Sequence, residues 1–256
     1  MQVNSTLLCA GQVDIAVWTD KPHNKYVVNV AWSPCGTHLL SCSQDKSIAL
    51  YKPHSEPLRL ELVSHLRFVD TPESAVFVPA ESVPAAWNAE GPSDIFIVAA
   101  LRGVPYLLYV NCRTLEQHRV SLNEHDWDEH VSFTVLHLAL SSCGRLLAAA
   151  TDRDMHVVYR CGTNKRVQVL AGGHSADSYG RPKVAWDNTS NYLYSNSQSD
   201  HNLCVYALSS GRVVASLPQH RGQIRDIYCS SDSRNVLTAS YDHTVVEWTY
   251  NLPDAS

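Results

Sequence analysis

A histidine, an aspartate 22 residues later and an aromatic six residues beyond that form a spacing that recurs along this chain. His23 precedes Asp45 by 22 positions, and Tyr51 follows six later. His220, Asp242 and Trp248 repeat both intervals, and His130 stands 22 before Asp152. His174 to Asp200 is 26, which places about four inserted residues near Tyr179, and Tyr206 again follows by six. A fixed period of this kind is the mark of a repeat architecture. It constrains the fold more than any composition does.

Within the period the local pattern is β. Six segments read as an apolar strand, a tight polar turn and a second strand ending in Trp or Tyr. They are TLLCAGQVDIAVW, HLLSCSQDKSIALY, DIFIVAALRGVPYLLY, LLAAATDRDMHVVY, YLYSNSQSDHNLCVY and NVLTASYDHTVVEW. Each is a β-hairpin by its turn and its β-branched and aromatic content. Turn signals such as SPCG, SSCG and SSDS separate them, and helical periodicity is almost absent. The repeat that starts at His65 is the most diverged. It carries the insertion VPAESVPAAWNAEGPS and lacks the turn aspartate.

From His23 to Trp248 the chain resembles the WD40 repeat family. That family's repeat opens on Gly-His, runs through a strand and an SPDG-like turn, then a strand ending in Ser-x-Asp, and closes on Trp-Asp. Here the closing dipeptide is degraded to WTD, YKP, YRC, YAL and WTY. The literal pairs Trp127-Asp128 and Trp186-Asp187 fall elsewhere in the register. The resemblance implies one all-β domain over residues 1–256, a β-propeller of WD40 type with about six blades. The repeats are expected near 1–20 (partial), 23–60, 65–115, 130–170, 174–215 and 220–250. Only five residues separate Trp18 from His23, which leaves three expectations open for closure. The ring is six-bladed and poorly closed or seven-bladed with an irregular closure, it is truncated, or a partner completes it by adding a strand at the open blade.

The resemblance also gives the repeat histidines and aspartates a structural role. His23 with Asp45, His130 with Asp152, His174 with Asp200 and His220 with Asp242 are expected to form buried hydrogen-bonded pairs. A carboxylate in a tight turn accepts the backbone donors stranded there and an imidazole N–H besides. Loops at the disc's end are free to vary and to bind. Positions that resemble the family's exposed ring are Tyr26, Phe68, Phe133, Tyr179, Arg225 and Tyr241, with Gln223 beside them. Aromatic and arginine side chains dominate binding energy at interfaces; the competing expectation is that some of these rings cap the barrel. Lys52, Arg113 and Lys165 read as solvated outer edge.

The run NEHDWDEH at 123–130 reads as a metal cluster at first sight. By register, however, His130 belongs to the repeat, and the remainder is a loop before it. No H-E-x-x-H order is present, and a strand-flanked loop does not impose i, i+4 facing. Metal binding or catalysis by this loop therefore stands as the weaker reading. There is no P-loop, no G-x-G-x-x-G and no G-x-S-x-G elbow, and the glycines of AGGH at 171–174 fall at a repeat start. No cofactor and no enzyme activity are expected.

Composition excludes other classes. A net charge of −5 gives no basic patch for a nucleic-acid backbone. The longest apolar stretches, such as IFIVAAL, are too short to span a bilayer, so no membrane association is expected. Eight cysteines without a C-x-x-C pair point to reduced thiols and an intracellular site, cytoplasmic or nuclear. The functional expectation is a non-catalytic scaffold presenting loop faces to protein partners. The alternative is a peptide or substrate receptor in a ubiquitin ligase or chromatin complex, although no repeat ends in the Trp-Asp-x-Arg associated with adaptor docking.

Overall fold

The computed structural model describes residues 19–54, 59–88, 95–124, 131–172, 181–197, 200–230 and 235–249. Within them lie nineteen strands in five antiparallel sheets. The first sheet holds β1 (Val27–Trp32), β2 (Leu39–Ser43), β3 (Ser47–His54) and β4 (Arg59–Arg67). The second holds β5 (Pro72–Pro79), β6 (Ile95–Leu101), β7 (Tyr106–Asn111) and β8 (Gln117–Ser121). The third holds β9 (Val135–Leu140), β10 (Leu146–Thr151), β11 (Met155–Arg160) and β12 (Arg166–Ala171). The fourth holds β13 (Val184–Trp186), β14 (Tyr192–Asn196), β15 (Leu203–Ala207) and β16 (Arg212–Leu217). The fifth holds β17 (Ile224–Cys229), β18 (Asn235–Ser240) and β19 (Val245–Thr249). Strand order in space follows the chain in every sheet, so each is a meander.

The sheets stack as propeller blades. Their first strands, β1, β5, β9, β13 and β17, pack on one another in that order and form the inner wall. One apolar cluster lies between each pair of neighbours. Leu40, Ile48 and Leu50 of the first sheet meet Phe77, Ile97 and Leu108 of the second. Phe96, Val98 and Tyr109 meet Leu138, Leu147 and Val157. Ala148, Val158 and Leu170 meet Val184, Trp186 and Leu193. Tyr194, Leu203 and Val205 meet Ile227, Val236 and Trp248. Central strands are covered on both faces, which is why β2, β3, β6, β7, β10, β11, β14 and β15 read as continuous apolar runs. The fourth strands alternate, as in β16, because only one face is covered.

One expectation changes here. Five blades stand among the described residues, not about six; the expected partial unit near 1–20 lies at residues 6–18, outside them. The described part of the insertion, residues 78–88, runs on from the end of β5. It forms two short 3-10 turns, Ala80–Ser82 and Ala85–Trp87, whose Trp87 stacks on His118 at 4.4 Å and tilts against Tyr109 and Phe96. The insertion thus caps the outer end of the second sheet.

Candidate interaction face

The turns between the second and third strands point to one end of the disc. In the fifth sheet the turn is Asp242–His243–Thr244, with His243 in the left-handed region at φ 68°. Asp45–Lys46–Ser47 and Asp200–His201–Asn202 repeat this geometry, with φ 69° and 62° at the middle residue. A non-glycine residue held there is strained by about 1 kcal/mol or more. The aspartate offsets the strain by gathering donors. Asp242 Oδ2 accepts from the Arg221 amide at 2.8 Å, and Oδ1 from the Thr244 amide at 3.0 Å and hydroxyl at 2.6 Å. The Thr244 hydroxyl leads the set of donors, followed by the Arg221 amide and His220, that hold this carboxyl well below the usual carboxylate range.

Behind the turn runs a buried chain of hydrogen bonds. Trp248 Nε1 donates to Thr238 Oγ1 at 2.9 Å. Thr238 lies 2.7 Å from His220 Nε2, and His220 Nδ1 lies 2.9 Å from Asp242 Oδ2. Because Thr238 already accepts from the indole, its own proton goes to Nε2, and Nδ1–H donates to the carboxylate. The first sheet builds a variant. His23 Nε2 meets Ser41 Oγ at 2.8 Å, and Nδ1 meets Ser47 Oγ at 2.9 Å and Asp45 Oδ2 at 3.3 Å. Burial opposes ionisation of Asp45, yet the Ser47 hydroxyl, the Asn24 amide, His23 and Ser43 bring its pKa down to about 2. The expected pairs His23–Asp45 and His220–Asp242 are therefore in contact.

The third sheet departs from the expectation. Arg153 N bonds to Thr151 Oγ1 at 3.2 Å, as Asp45 N does to Ser43 and Asp242 N does to Ser240. Arg153 thus holds the turn position, and Asp152 lies one residue early. Asp152 is exposed and accepts from the Thr134 amide at 2.8 Å. The interval to the closing aromatic carried this signal: Tyr159 lies seven residues from Asp152 but six from Arg153. His130 and His174 lie outside the described residues, and Asp200 is exposed and bonds Asn202.

The expected binding residues separate into two groups. Tyr26 is 81% exposed and Tyr241 62% exposed, and the Arg225 guanidinium lies over the Tyr241 ring at 4.7 Å. Phe68 is half-buried against the cluster between the first two sheets. Phe133 is 8% exposed and packs in the cluster between the second and third sheets, so its ring serves the core instead of a partner. Tyr179 lies outside the described residues, as do residues 125–130 of the acidic loop. Among the described residues no three His, Cys, Asp or Glu side chains group as a metal site.

Arg225 also borders a feature that no local pattern announced. A cavity of about 320 Å³ opens at the disc centre, lined by Val27 and Gln44, Glu73, Leu136, Arg181 and Lys183, and Arg225 and Asp226. These come from all five blades. Glu73 is buried, its carboxylate 2.5 Å from Arg102 Nε and 3.8 Å from Arg181. A buried carboxylate requires such partners. Lys183 lies 3.7 Å from Asp226, and burial lowers its pKa despite that neighbour. Half-buried His137 accepts from the Val184 amide at 3.3 Å, next to Lys183; burial, then Lys183 and His156, hold its pKa well under the ordinary imidazole value. Four cations, Arg102, Arg181, Lys183 and Arg225, stand around two carboxylates, an excess of positive charge on a chain of net charge −5.

Comparison with known proteins agrees with this geometry. The family model described as WD domain, G-beta repeat, matches residues 16–52 and 211–249, the segments that hold the two complete hydrogen-bond chains. Over 89 residues the chain is 33% identical to a bromodomain and WD repeat-containing protein of Dictyostelium discoideum. That stretch is 35% of this chain and spans only 4% of the relative's length. Repeat spacing, stacked antiparallel sheets and buried His–Asp turns agree with both matches: the chain is an all-β propeller of WD40 type, with no subfamily assigned.

Proposed function

We propose that this chain is a protein-interaction scaffold that holds a segment of a partner across the mouth of the central cavity. WD40 propellers are typically non-catalytic interaction domains, and protein partners are what they generally bind. The observation that carries the finer reading is the cavity rim, where Arg225 lies flat on exposed Tyr241 beside Arg181 and Lys183. A guanidinium stacked on a ring is held in place before binding, so little side-chain entropy is lost when a partner arrives. The excess of cations favours a partner segment carrying carboxylates. Exposed Tyr26, whose carbonyl accepts from the amide of the lining residue Gln44, would add a further contact. Quantitative affinity capture tests this, with the full chain and its Arg225→Ala and Tyr241→Ala variants as baits. Partners retained by the wild type and lost by both variants support it; partners indifferent to both overturn it.

A second reading is a substrate or peptide receptor within a larger assembly, such as a ubiquitin ligase or chromatin complex. It rests on the likeness to a much longer protein that joins WD repeats to a bromodomain. Strand addition is a further mode of partner binding. Among the described residues β19 is paired on one side only, and an apolar cavity of about 650 Å³ lies beside it, lined by Tyr194, Val205, Val214, Leu217 and Trp248. An extended segment entering there would complete the three-stranded fifth sheet. An intracellular location belongs to the same proposal, supported by Cys35, Cys42, Cys143, Cys161 and Cys229, which form no disulfide. No described helix is long and apolar enough to cross a membrane. The acidic-loop alternative is tested by metal analysis: stoichiometric zinc or manganese that disappears when His125, Asp126, Asp128 and Glu129 are replaced would favour it.

A further inference from the structure

Arg181 and Lys183 lie two residues apart on the extended segment that enters β13, so both side chains leave it on one side and line the central cavity. Pro182 between them fixes the backbone angle φ. Buried Asn196 ties this segment down. Its Oδ1 accepts from the Lys183 amide at 2.6 Å, and its Nδ2 donates to the Arg181 carbonyl at 3.3 Å. The same Nδ2 donates to the Ile224 carbonyl at 2.9 Å, which fixes the peptide leading into Arg225. His137 Nδ1 accepts the next amide, that of Val184, so the neutral ring carries its proton on Nε2 and adds no charge. One buried asparagine thus sets the backbone beneath three cations of two neighbouring sheets.

The charges of this cluster do not balance. Buried Glu73 is taken by Arg102 at 2.5 Å, and exposed Asp226 by Lys183 at 3.7 Å. Arg181 shares Glu73 at 3.8 Å, and Arg225 rests on the Tyr241 ring. Four cations against two carboxylates leave two positive charges over. Lys183 registers the crowding: burial lowers its pKa first, Asp226 opposes this, and Arg181 and Arg225 lower it further. The two carboxylates repel an anion, but each already has a cation of its own, so the excess decides. A carboxylate ligand would cancel one of the two charges. A phosphate group carries about −1.5 to −2 at pH 7 and cancels both. Its oxygens suit the guanidinium fork and the ammonium point charge together. The volume of about 320 Å³ stands at the lower end for small-ligand sites, which span about 300–1,000 Å³. We propose that the cavity binds a phosphate dianion, as inorganic phosphate or as the phosphoryl group of a small monoester, held by Arg181, Lys183 and Arg225. The inference uses the cavity of the proposed function but needs no partner. Phosphate and a partner's carboxylates draw on the same cations, so phosphate also competes with capture.

Calorimetric titration of the full chain with inorganic phosphate at fixed ionic strength tests this, with acetate as the monoanion control. One saturable phosphate site per chain is expected, with acetate about tenfold weaker or more. Lys183→Met, Arg181→Gln and Arg225→Ala should each weaken phosphate binding about tenfold or more. Asp226→Asn should tighten it, because the change frees Lys183 and removes a repelling charge; a merely structural role gives no such gain. Lys183→Met removes a charge that burial already disfavours, so its fold should hold. If it does not, Arg181→Gln, Arg225→Ala and Asp226→Asn carry the test. Glycerol phosphate separates the sources: binding no tighter than inorganic phosphate assigns the site to the free ion, and tighter binding assigns it to a monoester. No saturable binding of either overturns the proposal, as does acetate binding equally well or an affinity that no variant changes. Stabilisation that appears only at high phosphate concentration, equally in every variant, is general exclusion from the surface and also overturns it. Partner capture that depends on Arg225 in a chain that binds no phosphate overturns this inference and leaves the scaffold reading standing. Phosphate binding in a chain whose partners ignore Arg225 does the reverse.

Discussion

The first and fifth blades solve the closing of a sheet differently from the three between them. At the ends a histidine ties the turn aspartate to a strand hydroxyl, and in the fifth blade the chain runs on to Trp248. In the middle blades a tyrosine does the tying across to a neighbour. Tyr109 OH accepts from the Gly162 amide of the third blade at 3.0 Å. Tyr159 OH donates to the Leu122 carbonyl at 3.0 Å, and Tyr206 OH donates to the Gly172 carbonyl. Those rings are 0–1% exposed, and burial raises the Tyr159 hydroxyl to about 12, so it stays a proton donor. The contrast has a physical logic. A middle blade has a neighbour on each face, so its closing aromatic reaches backbone of an adjoining blade, the following one for Tyr109 and the preceding one for Tyr159 and Tyr206. Among the described sheets an end blade packs on one other sheet, and it satisfies these polar groups within itself.

That contrast can be broken by experiment, and the largest effect is expected in the middle. Tyr159→Ala should cost about 3–5 kcal/mol in urea unfolding, since it empties a packed site and frees a buried carbonyl. Tyr159→Phe keeps the ring and should cost about 1 kcal/mol. Equal losses for the two would show that the hydroxyl, not the ring, holds the blades.

The next effect lies in the fifth blade. His220→Ala should cost about 1–3 kcal/mol, and Thr238→Ala a similar amount. In a double-mutant cycle the two should be less than additive, because each already breaks the same chain. Strict additivity would mean the chain is not a unit.

Acid sharpens the comparison further. The folded-state pKa of Asp45 is depressed to about 2 and that of Asp242 lies lower still, both beneath the ordinary unfolded value near 4. Their contribution is therefore complete above the unfolded pKa and fades as pH falls from about 5 toward 2. The end blades should lose amide protection first in that window, followed by exchange. Asp45→Asn should flatten the first blade's acid response. A middle blade that opens first would contradict the assignment.

The smallest effect is expected at Asp152. Its carboxylate is exposed and holds one amide, so Asp152→Asn should change stability by no more than about 0.5 kcal/mol. A loss as large as that of His220→Ala would restore it to the turn position.

The same division explains what could be read from the residues alone. The intervals of 22 and 6 located the first and fifth turns because there the hydrogen-bond chain demands particular residue types at particular places. In the third blade the demand is gone, so Asp152 satisfied the 22-residue interval by standing one position early. Phe133 falls to the second of its two expectations for a related reason: an aromatic three residues past a repeat histidine suits a rim or a core, and packing decides. The cavity around Glu73, Lys183 and His137 was out of reach, since its lining comes from five repeats and no local pattern joins them.

Under the proposed function, recognition and stability reside in different groups of the fifth blade: Arg225 and Tyr241 would meet the partner, and His220, Thr238 and Trp248 tie the turn to the strands. Arg225→Ala tests it most directly, with partner binding and thermal unfolding measured on the same preparation. The expected result is an unfolding temperature unchanged from wild type and a partner lost. An unfolding temperature that falls while the partner is retained would contradict it.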